Sequence, residues 1–295
     1  MQRKLIGERG IDAILDSLSE LDRREETLTR QREAEIHELV LHLSKIKGGR
    51  ASAVLSGISV LNGAERQNAS AALEHTAFCR EYLAAFPGRA DYKRSIFFGS
   101  DDRSSEKTAL GYLKNEYSER AAEIFSGLLP SCERETAQSF DAMCEDIYSG
   151  RLDYGIIPIS NGRDGRLPVF YELINRYELK IVLACSVGAD EGEKTLFALA
   201  GKSIPYPEMP FGEPTSLELF VTPGGGQSLT EMFRAAETCG MELQRIDSFG
   251  FSSVGEGVTF SPVFSAEGAE IGTFLLYMTA VFPQYTPIGI YRMIR

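Results

Sequence analysis

Three histidines, His37, His42 and His75, limit the imidazole chemistry open to this chain of 295 residues. All three fall in one N-terminal helical stretch, so a Ser-His-Asp relay has no histidine to draw on further along. His37-Glu-Leu-Val-Leu-His42 approaches the zinc pattern HExxH, but the second histidine comes one residue late. At ~100° per residue, a spacing of five sends the two rings to different sides of a helix. No metal is expected. Gly224-Gly-Gly226 leads into a helical pattern as a phosphate loop would, yet no Lys-Ser/Thr pair follows it. The cysteines (Cys79, Cys132, Cys144, Cys185, Cys239) are scattered without a CxxC pair and are expected to be reduced thiols of a cytoplasmic protein. Asp153 and Tyr154 fit a strand-start cap and packing. No cofactor is implied.

The charge balance narrows the partners. With 42 acidic and 31 basic residues, the formal charge is -11, which repels phosphate backbones and argues against nucleic acid. No apolar run approaches the ~20 residues that span a bilayer, so no membrane is expected. The opening MQRKLIGERG lacks the apolar core of a signal peptide.

The elements that must position any site fall into three blocks. Residues 1–90 have helical spacing, with apolar positions at Ile11, Ile14, Leu15, Leu18 and Leu21, resuming at Leu28, Ile36, Leu39, Val40 and Leu43. Further helices are expected over Ala51–Leu61 and from Asn68 or Ser70 to Phe86, giving an antiparallel helical module. From 93 to 203 strands and helices alternate. A strand is expected at Ser95–Phe98, a helix from about Ser104 to Phe125 and another over Phe140–Tyr148. Strands follow over Asp153–Ile159, Leu179–Cys185 and Thr195–Ala200, with a helix over Val169–Arg176. That order predicts an α/β layer with a mostly parallel sheet. Gly201–Pro214 holds four prolines and is expected to be a linker. The block 215–295 is a series of strand Leu217–Val221, helix Leu229–Cys239, strands Glu242–Phe251 and Val258–Phe264, helix Ala269–Phe282 and strand Ile288–Met293. Its order is βαββαβ, the ferredoxin-like unit.

Two stretches resemble a known family. Ser139-Phe-Asp-Ala-Met-Cys-Glu-Asp-Ile-Tyr-Ser-Gly-Arg-Leu-Asp-Tyr-Gly-Ile-Ile-Pro-Ile-Ser-Asn161 is similar to the prephenate dehydratase signature, continued by Gly165-Arg-Leu-Pro-Val-Phe-Tyr-Glu-Leu-Ile174 and Leu179-Lys-Ile-Val182. Thr215-Ser-Leu, Arg245-Ile-Asp-Ser248, Phe264-Ser-Ala-Glu-Gly268 and Ile288-Gly-Ile-Tyr291 resemble the ACT domain that follows such enzymes. The resemblance implies a periplasmic-binding-like catalytic lobe and a regulatory ACT domain. The activity it implies is a lyase step of phenylalanine biosynthesis, in which prephenate loses water and carbon dioxide to give phenylpyruvate. The protein's part is to hold two carboxylates and to donate to the departing hydroxyl.

Carried onto this chain, the resemblance nominates Thr195, Asn161 and Ser160 as catalytic. Ser105 or Ser118 joins them, according to whether Gly99-…-Ser104-Ser-Glu-…-Ala109 or Glu116-Tyr-Ser-Glu-Arg-Ala-Ala122 is the family's Ser-Glu loop. Lys194 and Phe197 are nominated for the substrate, prephenate or a related aromatic acid. The chain also departs from the pattern. Ser160 stands where the family has Glu, and the Thr-Arg-Phe motif is Thr195-Leu196-Phe197. A guanidinium binds a carboxylate in two-pronged fashion and leucine does not; Lys194 supplies a point charge next door. The family's second lobe is reduced to the interval Ser186–Lys194, so one wall of the cleft has to come from the helical module or another subunit. The helical module occupies the place of chorismate mutase in bifunctional members, though its basic residues show no matching register.

In the ACT block, Leu229, Asp247 and Ser248 are the matching regulatory positions, for phenylalanine in the family. The family's Gly-Ala-Leu is here Gln227-Ser-Leu229, and its Glu-Ser-Arg-Pro is Asp247-Ser-Phe-Gly250. Three readings follow: a prephenate dehydratase, a non-catalytic amino-acid-sensing protein derived from it, or a structural homodimer or partner subunit with neither site in use.

Overall fold

The computed structural model describes residues 19–24, 27, 30–31, 34, 75–80, 107–162, 165–188, 194–206, 209–222, 228–249, 258–282 and 285–294. The N-terminal residues among them are helical. The predicted elements at Ser95–Phe98 and Ala51–Leu61 lie outside the described residues. After the helical segment 75–80 come β1 (Thr108–Leu113), α1 (Glu116–Ser126), β2 (Cys132–Ala137), α2 (Phe140–Ser149), β3 (Tyr154–Asn161), β4 (Gly165–Arg166), α3 (Pro168–Arg176), β5 (Lys180–Val187) and β6 (Thr195–Gly201). The C-terminal block has β7 (Ser216–Val221), α4 (Leu229–Thr238), β8 (Glu242–Phe249), β9 (Thr259–Ser265), α5 (Ile271–Val281) and β10 (Tyr285–Ile294), in βαββαβ order. No described helix is long and apolar enough to cross a membrane.

One ten-stranded sheet runs through both blocks in the order β2-β1-β3-β6-β5-β10-β7-β9-β8, with β4 paired to β3 off that path. The sheet is mixed, not mostly parallel. β1 is parallel to β2 and β3, but β6 is antiparallel to both β3 and β5. The cause is the connection: only Gly188–Lys194 joins β5 to β6, too short for the crossover that a parallel neighbour needs. The join between the blocks is β10, parallel to β5 on one side and antiparallel to β7 on the other.

The helix predicted over Ser104–Phe125 is strand β1 followed by helix α1. Asn115, extended at φ -155° and ψ 159°, separates them as the N-cap. Leu110 and Leu113, with Ala121, Ala122 and Phe125, happen to extend a helical period backwards through the strand.

Three apolar clusters hold the layers. Phe125, Leu110, Ile156, Leu183 and Phe197 pack beneath α1 on one face of the sheet. Met143, Ile147, Phe170, Tyr171 and Ile174 from α2 and α3 pack on the other, against Ile157, Ile181 and Ala198. That second cluster continues into Phe220, Ile288 and Tyr291, so α3 covers the helix-free face of the βαββαβ unit. The third lies under α4 and α5 and includes Leu217, Met232, Phe264 and Phe274, with Phe78 and Cys79 from the helical segment 75–80.

Candidate active site at the sheet edge

Parallel β1, β3 and β5 end at the edge of the sheet where antiparallel β6 begins. In open α/β sheets that carboxyl edge is where ligands bind. Asn161, the last residue of β3, is in register with Thr195, the first of β6. Thr195 is two residues from Phe197, which packs beneath α1, so alternation turns Thr195 to the α1 face. Phe197 itself is 2% exposed and belongs to the core. Lys194 is exposed just before the strand.

The start of α1 supplies the third group. Asn115 Oδ1 accepts from the Ser118 backbone N–H at 2.9 Å, and Asn115 Nδ2 donates to Ser118 Oγ at 2.9 Å. Ser118 is thus buried and oriented at a helix N-terminus, where the macrodipole favours negative charge. Ser105, the other candidate for this loop, lies outside the described residues. Replacing Asn115 with alanine is expected to cost about 1 kcal/mol, the usual cost of losing a cap, and to free the Ser118 hydroxyl. Urea denaturation of the variant measures the first effect.

Ser160 is turned the other way. It is in register with Leu196 on one side and Arg166 of β4 on the other, and Leu196 packs on the α2–α3 face. Thr195 and Asn161 therefore stand together on the α1 face of the edge, the face that α1 with Ser118 covers, while Ser160 shares the opposite face with Arg166.

On that opposite face lies a group of residues that sequence reasoning missed. Glu218 of β7 is fully buried. Its Oε1 accepts from Tyr171 Oη at 2.8 Å and Ser261 Oγ at 3.2 Å, and its Oε2 from Tyr291 Oη at 3.1 Å. Burial first, and Glu218 second, push both tyrosine hydroxyls far above their ordinary range, so they remain donors. Arg166 lies 5.5 Å over the Tyr171 ring. Its Nη2 is 3.7 Å from Glu218 Oε1 and its Nε 4.0 Å from Asp247 Oδ2. Arg245 Nε donates to the same Asp247 oxygen at 2.7 Å. Burial raises the Asp247 carboxyl, with Arg166 opposing the rise. One signal was available in the sequence: Glu218 is the lone charge in the apolar run Leu217–Val221.

Of the regulatory positions, Leu229 packs at the start of α4 on the helix-covered side. Asp247 lies on the helix-free side, in register with Ser261, and Ser248 alternates to the side of α4. The buried thiols are inert packing groups; burial pushes Cys185 and Cys239 up to about 12.

Residues 110–189 match the family model described as prephenate dehydratase. No curated protein matches the chain. Among solved structures, prephenate dehydratase from Streptococcus mutans is similar, at 17% identity over 64% of this chain and 100% of its own, with a TM-score of 0.51. A quorum quenching acylase, GqqA, reaches 19% identity over 62% of this chain and 94% of its own, with a TM-score of 0.48. The Arthrobacter aurescens prephenate dehydratase, solved with L-Phe, reaches 13% identity over 63% and 90%, also at 0.48. At that identity the first likeness is one of fold. The family match spans β1 to β5 and takes in Ser118, Ser160 and Asn161; Thr195 lies beyond it.

Proposed function

We propose, from a chain that is prephenate-dehydratase-like across residues 110–189, that the sheet edge binds prephenate and converts it to phenylpyruvate. The supporting observation is the register of Asn161 with Thr195 on the face of the sheet that α1 covers. In this reading the ring-bound carboxylate leaves as carbon dioxide, its bonding pair completes the aromatic ring, and the ring hydroxyl departs as water. Thr195 donates to that hydroxyl, Asn161 and Ser118 orient the substrate, and Lys194 faces a carboxylate. Thr195→Ala is expected to lower kcat by about a hundredfold or more, with folding intact, since proton transfer is worth ~10²–10⁴ in rate. Turnover followed as phenylpyruvate checks it; an unchanged rate removes Thr195 from the mechanism.

A second reading is favoured by the seven residues Gly188–Lys194 that stand between β5 and β6, and by Leu196 at the motif arginine. It makes the chain a non-catalytic amino-acid sensor, with residues 215–295 as an ACT domain that responds through Leu229, Asp247 and Ser248. A homodimer through that domain fits both readings. Absence of prephenate turnover by folded protein selects the second reading, and light scattering at low concentration reports the dimer.

A further inference from the structure

We propose that the seam between β4 and β8 binds a small monocarboxylate, held by Arg166 and Arg245 on either side of Asp247. This site lies on the opposite face of the sheet from the Thr195 edge and does not depend on that reading.

Buried donors at this seam lack acceptors among the described residues. The Arg166 side chain is only 10% exposed, and among the described residues its buried Nε and Nη1 have no hydrogen-bond partner. Its two nearest carboxylate oxygens, on Glu218 and Asp247, stand at 3.7 and 4.0 Å, beyond hydrogen-bond reach. Glu218 does not turn to meet it because three hydroxyls already fix both of its oxygens. Arg245 commits Nε to Asp247, and its buried Nη2 likewise has no partner among the described residues. Two guanidinium groups flanking one carboxylate thus present three N–H nitrogens without acceptors. Buried donors of this kind are normally satisfied, so an oxygen-rich occupant is called for.

Charge selects the occupant. Arg166 and Arg245 are already faced by Glu218 and Asp247, so the site as built is neutral. A monoanion adds one charge to it; a phosphate dianion adds two, next to two fixed carboxylates. Carboxylate is therefore the preferred acceptor. The apolar side of the site is aromatic, with the Tyr171 and Phe249 rings 4.4 Å apart, which suits an aryl or alkyl substituent. Arg245 and Asp247, 39% and 24% exposed, form its solvent side.

Calorimetry and thermal shift on the full chain test this, with benzoate as the monocarboxylate and inorganic phosphate as the competing anion. Benzoate is expected to bind at one site and raise Tm, with phosphate at least tenfold weaker. Arg166→Gln is expected to abolish benzoate binding. Arg245→Gln, at a side chain 39% exposed, is expected to weaken it at least tenfold. Thr195→Ala is expected to leave it unchanged, which separates the seam from the edge. No benzoate binding, binding untouched by Arg245→Gln, phosphate as tight as benzoate, or loss in Thr195→Ala each overturns the proposal.

Discussion

Glu218→Ala is expected to destabilise the protein by about 3–5 kcal/mol, the range for removing one partner from a buried charged set. The effect is large because the carboxylate is shared. Without it, the Tyr171, Tyr291 and Ser261 hydroxyls lose their common acceptor, and the Arg166 charge loses its nearest buried counter-charge. Tyr171→Phe removes one bond of the set and keeps the ring packing against Phe170, Phe220 and Phe249, so it should cost only about 1.5–3 kcal/mol, as for a hydrogen bond to a charged group. Urea midpoints at pH 7 compare the two. If Glu218→Ala proves no worse than Tyr171→Phe, the cluster is not the shared structure described above.

Phe78→Ala is the second large effect, about 3–5 kcal/mol for deleting a buried aromatic ring. Phe78 is fully buried, yet its neighbours in the core come from the far end of the sequence: Leu217, Met232, Phe264 and Phe274. The helical segment 75–80 thus completes the outer layer over α4 and α5. Arg80 fastens it, donating through Nε to both oxygens of Glu270 at 2.7 and 2.9 Å and through Nη2 to the Thr238 carbonyl at 3.3 Å. Arg80 and Glu270 are 39% and 44% exposed, so Arg80→Ala should cost only about 0.2–1 kcal/mol. Hydrogen exchange at 75–80 supplies a second readout: it should rise sharply in Phe78→Ala and little in Arg80→Ala. Equal, small losses from both would mean that the ring is not a core residue.

These two residues also mark where sequence reading runs out. The βαββαβ order was legible because its strands and helices come as separate apolar runs, several of them closed by Gly or Pro (Pro223, Gly240, Pro283). The pairing of β10 with β5 was not legible, because strand order is a long-range property that local pattern does not carry. β2, with the sequence CERETA, passed unnoticed: its four central residues are exposed, so no apolar alternation announces it. Of the edge residues, Thr195 and Asn161 came from motif resemblance, and the sheet then placed them side by side. Ser160 came from the same motif, but its register with Leu196 turns it to the other face. Arg166 lies within the quoted signature, but nothing in the sequence marks it as buried; in the fold it lies over the Tyr171 ring of α3 and 3.7 Å from Glu218 of β7.

The place of β10 in the sheet has a consequence for the order of assembly during synthesis. β5 and β7 both wait for residues 285–294 before either has its neighbour on that side. Without those residues the other strands make two separate sheets, each with one unpaired inner edge rich in apolar residues. Such edges are templates for pairing with another molecule. A chain truncated shortly before residue 285 would therefore display two sticky half-sheets and should bind chaperones, as the full-length chain does not once the last strand slots between them.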